Sequence, residues 1–102
     1  MAITVQNNQE NSSVLIKVSD QFDYSLHQEF REAYRYQEQA GAVFRVNLED
    51  ATYMDSSALG MILLLKEHAD KIAGNVIIEK PNDSVKKILS IAKFEHFVTI
   101  NY

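Results

Sequence analysis

Apolar residues along this chain recur with two periods, and the alternation between them outlines a fold. Near the start, "ITV" at 3–5 and "VLIKV" at 14–18 have the composition of short strands. In the second of these, Val14, Ile16 and Val18 share one face at period two. The polar run from Gln6 to Ser13 is expected to join them as a turn or hairpin loop. Leu26, Phe30, Ala33, Gln37 and Ala40 then fall at helical spacing, which predicts an amphipathic helix over roughly 25–40. Ser25-x-x-Gln28 has the form of a capping box, and Gly41 is a natural stop. Phe44, Val46 and Leu48 alternate again and predict a strand. Ser56 to Ala73 is expected to form a second helix, stopped by Gly74. "NVIIE" at 75–79 has the pattern of a buried strand, and Pro81-Asn82-Asp83 opens a third helix with Val85, Ile88, Leu89 and Ala92 inward. "FVTIN" at 97–101 closes the series as a last strand.

Strands alternating with helices imply right-handed crossovers and parallel pairing, with one antiparallel hairpin at the start. The expected class is α/β: a small mixed, largely parallel sheet of four to five strands packed against three to four helices. No linker, repeat or low-complexity segment interrupts the pattern, and 102 residues suit one domain over 1–102.

Composition narrows the possible functions. Hydrophobic residues make up 46% and charged residues 24%, values of an ordinary soluble domain with a real core. Without cysteine, neither a disulfide framework nor a thiolate metal site is possible. A net charge of −4 argues against nucleic acid as partner, because phosphate neutralisation needs a basic surface. "MAITVQNNQENSS" lacks the basic start and long apolar run of a signal peptide, and the longest apolar run is about half of a membrane span. A cytoplasmic protein with no membrane partner is expected.

The informative stretch is "EDATYMDSSALGMILLL", Glu49 to Leu65, where Asp55-Ser56-Ser57 precedes the most apolar segment of the chain. Ser and Asp are good helix N-caps, which alone accounts for such a corner. Two hydroxyls and a carboxylate nevertheless exceed one cap, and a helix N-terminus tolerates a phosphate. The following residues, Ala58 to Leu65, are apolar on nearly all sides of two turns, so this helix is either fully buried or partly offered to a partner. A phosphate on Ser56 would place about −1.5 to −2 charges beside Asp55, with Asp50 and Glu49 nearby in sequence. That charge would be costly to desolvate at an apolar interface, which makes a binding switch.

Catalysis finds little support. The G-x-S-x-G elbow is absent around Ser56, and His27, His68 and His96 show neither a triad pattern nor metal-ligand spacing. Three glycines supply no phosphate loop, so no cofactor is expected. A receiver domain with Asp55 as acceptor would need further carboxylates for Mg²⁺, and "VQNN" at the first strand end offers no acidic pair.

"NLEDATYMDSSALGMILLL" resembles the signature of the bacterial anti-sigma factor antagonists built on the STAS domain, and the likeness extends over essentially the whole chain, including Phe22-Asp23, Gly41 and Gly74. The resemblance implies a non-enzymatic module whose Ser56 is phosphorylated by a serine protein kinase, often itself the anti-sigma factor. A serine phosphatase, linked to a response regulator in one subgroup, reverses the mark. The unphosphorylated form binds its partner and frees a sigma factor, regulating transcription. Asp55 and Ser57 would support the phosphosite, and Phe22, Asp23, Tyr24, Met54, Ala58 and Met61 would meet the partner. Ala58 and Asp20 depart from the family, which usually carries glycine at both places. The alternative implied is a non-switching STAS scaffold subunit of a signalling complex controlling motility or biofilm formation.

Overall fold

The computed structural model describes residues 2–102. Five strands form the main sheet in the order β1-β2-β4-β6-β7: β1 (Ile3–Asn8), β2 (Ser13–Val18), β4 (Val43–Asn47), β6 (Asn75–Glu79) and β7 (Thr99–Asn101). The β1–β2 pair is antiparallel and the other three pairings are parallel. The helices are α1 (His27–Tyr34), α2 (Ser56–Lys71) and α3 (Asp83–Ile91). A mixed, mostly parallel five-stranded sheet with three helices is the expected α/β class.

Period-two alternation decides which sheet face is covered. Val14, Ile16 and Val18 of β2, Phe44 and Val46 of β4, and Val76 and Ile78 of β6 are buried, while the residues between them are half-buried or exposed. Phe30 and Tyr34 of α1, Ile62, Leu65 and Ala69 of α2, and Val85 and Leu89 of α3 complete the same cluster. Tyr34 meets the edge of Phe44, their ring centroids 6.4 Å apart. Gly74 is required where α2 turns into β6, since a Cβ there would overlap the Ala42 carbonyl. Its N–H closes the helix on Ala69 O at 2.8 Å.

Several boundaries differ from the sequence expectation. β1 runs on to Asn8, its polar Gln6, Asn7 and Asn8 pairing with Leu15, Val14 and Ser13, so the loop is only 9–12. An edge strand exposed on its outer side needs no apolar alternation. The first helix is eight residues, not sixteen: a 3-10 turn, Tyr24–Leu26, precedes it and it ends at Tyr34. No capping box forms. Asp23 caps the turn instead, and Leu26, at the α1 N-cap, has no side-chain cap bond. Beyond Tyr34, His68 of α2 donates from Nε2 to Gln37 O at 2.7 Å, and Gln37 Oε1 accepts from Gln39 N–H at 2.9 Å. Tertiary and local side-chain bonds thus take the backbone that a longer helix would use. Gly41 accordingly lies in the approach to β4, seven residues past the helix.

Two strands have no counterpart in the sequence reading. β3 (Asp20–Phe22) and β5 (Ala51–Met54) form a separate two-stranded parallel sheet. What the sequence left as loop before Asp55 is therefore a strand, and it aims the Asp55 corner.

Candidate functional site at the ends of two paired strands

Phe22 stands opposite Met54 at the end of the β3–β5 pair, so the next residues, Asp23 and Asp55, leave it side by side. Each aspartate caps the helical turn that begins after it. Asp55 Oδ1 accepts from Ala58 N–H at 3.1 Å, capping α2, and from the Ser57 hydroxyl at 2.6 Å. Asp23 Oδ1 accepts from Ser25 N–H at 2.9 Å and from the Ser25 hydroxyl at 2.5 Å. The Ser57 hydroxyl bond, opposed by partial desolvation and aided by the backbone N–H groups of the first turn, holds the Asp55 carboxyl below the usual range.

The two serines of the motif differ in consequence. The Ser57 hydroxyl is committed to Asp55. Ser56 is exposed, and its hydroxyl has no hydrogen-bond partner among the described residues. The corner is held from a third side by Asn82, the N-cap of α3. Its Oδ1 accepts from Val85 N–H at 3.1 Å while its Nδ2 donates to Ala51 O at 2.5 Å. Asn82 thereby ties α3 to the first residue of the strand that delivers Asp55.

The segments 17–23 and 49–55 carry five carboxylates (Asp20, Asp23, Glu49, Asp50, Asp55) against one cation, Lys17, which pairs with Asp50 at 3.2 Å. Along α2, Ala58, Met61, Ile62, Leu65 and Ala69 face the core. Ser56, Gly60, Leu63, Leu64 and Glu67 are exposed, with Leu64 57% accessible. The helix is thus apolar on its buried side and on part of its free side. Between α1 and α2 runs an open groove of about 720 Å³, lined among others by Tyr24, Arg31, Met61 and Leu64.

The residues expected to meet a partner divide sharply. Asp23 and Tyr24 reach the surface, Tyr24 stacking on His27 with centroids 4.3 Å apart. Phe22, Met54 and Ala58 are core residues, and Met61 is buried apart from its edge on the groove, so these four position the corner rather than present it. Sequence reasoning named Ser25 and Asn82 only as helix starts and missed their part in this corner. Asp23-x-Ser25 repeats the spacing of Asp55-x-Ser57 and was the available signal for Ser25. The Asn82 donor bonds span 31 residues and have no local signature. Among the described residues no group of three His, Asp or Glu could hold a metal ion. No helix among them is long and apolar enough to cross a membrane.

A mostly parallel sheet with helices on one face, and a serine corner at its strand ends, defines a small α/β domain of one family. The STAS domain pattern matches residues 2–102, and the chain belongs to the STAS domain family. A STAS-domain containing protein of Pseudomonas aeruginosa is 38% identical over 101 residues, covering 99% of this chain and all of that one. Among solved structures, a Thermotoga maritima protein assigned as an anti-sigma factor antagonist superposes with a TM-score of 0.80 at 16% identity, over 98% of this chain and 86% of that one. The anti-sigma factor antagonist SpoIIAA, in its unphosphorylated form, gives 0.75 at 18% identity, over 99% and 88%. At these identities the two structures establish a shared fold.

Proposed function

We propose that this protein is an anti-sigma factor antagonist: a non-enzymatic binding module, acting in the cytoplasm, whose grip on a protein partner is switched by phosphorylation of Ser56. The observation that carries this reading is the unequal state of the two serines. Ser57 spends its hydroxyl on Asp55, and Ser56 presents a free one at the first turn of α2, about two helical turns from the exposed Leu63 and Leu64. The partner is an anti-sigma factor that is itself, or is joined by, a serine kinase; a serine phosphatase restores the hydroxyl. Asp55, its carboxyl held below the usual range chiefly by the Ser57 bond, fixes the helix start, which sets where the Ser56 hydroxyl points.

Magnitudes favour release on phosphorylation. A dianion at the rim gains at most about 1 kcal/mol from any exposed cation it meets. Taking that charge out of water under an apolar contact costs several kcal/mol. Desolvation outweighs attraction, and the partner leaves.

Incubation with ATP and the kinase, followed by peptide mass mapping, is expected to place one phosphate on Ser56 and none on Ser56→Ala. Binding to the same kinase should persist in Ser56→Ala and fall in Ser56→Asp. Equal affinity of the two variants would instead mark the non-switching scaffold.

A further inference from the structure

β1 is a free edge of the main sheet, and each of its backbone bonds can be assigned to a side. The Ser19 N–H bonds to Ala2 O at 2.7 Å, in register with the β1–β2 ladder. Bonded pairs alternate with unbonded ones in an antiparallel ladder, so Thr4, Gln6 and Asn8 turn their N–H and C=O toward β2. Those of Ile3, Val5 and Asn7 point away from the sheet, and among the described residues no strand lies beyond them. Edges are normally guarded by charge, proline, a bulge or short length. The opposite edge, β7, has three residues. β1 has six, paired to β2 without a bulge, and "AITVQNNQ" at 2–9 carries neither charge nor proline. Val5 lies 45% exposed beside Ile16, on the face that the helices cover.

We infer that β1 pairs with β1 of a second copy of this chain, antiparallel about a two-fold axis at Val5, joining two sheets into one. This register uses every outward group. Val5 meets the second copy's Val5, Ile3 meets the second copy's Asn7, and Asn7 meets the second copy's Ile3. Charge selects a second copy as the occupant. A two-fold sets each residue opposite itself or a near neighbour, so any charge on this edge would face its like, and β1 has none. The two Val5 side chains then cover each other on the apolar face. Pairing β1 with β7 of the next copy would run head to tail without closing, and β7 offers half the length. Two edges bury less than the roughly 800 Å² per partner of a standard interface, so a dissociation constant in the tens of micromolar is expected. The inference is independent of the role proposed for Ser56, and gives each dimer two Ser56 corners.

Sedimentation velocity of the full chain, from about 5 µM to about 1 mM, should show the mass rise from one chain to two. Val5→Lys sets like charges at the axis and should stay monomeric throughout. Amide exchange followed by NMR locates the interface. The Val5 and Asn7 amides should exchange freely when dilute and at least about tenfold more slowly when concentrated. Those of Thr4, Gln6 and Asn8, bonded to β2, should be protected at both concentrations. An isotope-filtered NOE between Thr4 Hα and the second copy's Gln6 Hα, an unbonded pair of the new ladder, fixes the register. A monomer at the highest concentration overturns the inference. So does a dimer that survives Val5→Lys, or one in which the Val5 and Asn7 amides stay fast, since another surface then makes it. Masses that grow past two chains mean open-ended edge pairing and reject the two-fold. Should Val5→Lys fail to fold, exchange in the unaltered chain decides alone.

Discussion

Phe22 and Met54 face each other at the end of two short parallel strands, and the aspartate after each accepts a serine hydroxyl two residues further on. This pairing converts two separate local motifs into one surface. β3 and β5 hold nothing else of chemical interest; their effect is to bring two carboxylate caps and three serines to one edge.

The Ser57 hydroxyl lowers the pH at which the Asp55 cap of α2 takes up a proton. The folded pKa of Asp55 is lowered, chiefly by the Ser57 hydroxyl, so its stabilising effect is present above the unfolded carboxylate pKa of about 3.9 and is lost as pH falls through the lower folded value. Ser57→Ala should move the Asp55 titration upward, toward the ordinary range, in a carboxyl-carbon NMR titration. An unmoved titration would show that the backbone N–H bonds, and not Ser57, lower it.

Asn82 joins two elements through the two ends of one amide. Asn82→Asp keeps the oxygen that caps α3 but loses the donor to Ala51. Asn82→Ala loses both. Urea unfolding should rank wild type above Asp and Asp above Ala, with Ala about 1–3 kcal/mol less stable than wild type. If Asn82→Asp unfolds like wild type, the bond to β5 contributes nothing; if it unfolds like Asn82→Ala, the α3 cap contributes nothing.

Asp20 occupies the left-handed region at φ 63, a conformation that glycine adopts without strain. Asp20→Gly relieves that conformation and removes one carboxylate from a crowded edge, while the Asp20 N–H bond to Asp50 O is retained. Stability measured by urea unfolding should rise by up to about 1 kcal/mol. A loss of stability would mean that the Asp20 side chain supports the turn.

Two adjacent leucines separate core from surface. Leu65 is fully buried and Leu64 is 57% exposed. Leu65→Ala should cost about 2–5 kcal/mol of unfolding free energy, and Leu64→Ala no more than about 0.5 kcal/mol. A large cost at Leu64 would place it in the fold's own packing and remove it from any docking face.

Much of the architecture was legible in the chain because burial imposes a period. Val14, Ile16 and Val18, or Phe44, Val46 and Leu48, can alternate only if one sheet face is covered, and the positions of α2, β6 and α3 come from equally regular segments. The Asp55-Ser56-Ser57 corner was legible for a different reason: a helix cap is a local bond between near neighbours, and its residues stand together in sequence. The STAS resemblance added the role proposed for Ser56, which no periodicity contains.

Tertiary structure decided what depends on distant neighbours. The first helix stops at Tyr34 because the residues beyond it bond to His68, 31 positions away, and to each other. β3 and β5 are too short to show a period, and exist because they pair with one another and because Asn82 holds β5 from across the fold. Which face of an all-apolar helix is free could not be read from Ala58 to Leu65, since every position there is permitted inside. Only packing against the sheet selects Leu65 for the core and leaves Gly60 and Leu64 outside: hydrophobicity fixes that a segment is buried, and the geometry of its neighbours fixes which side.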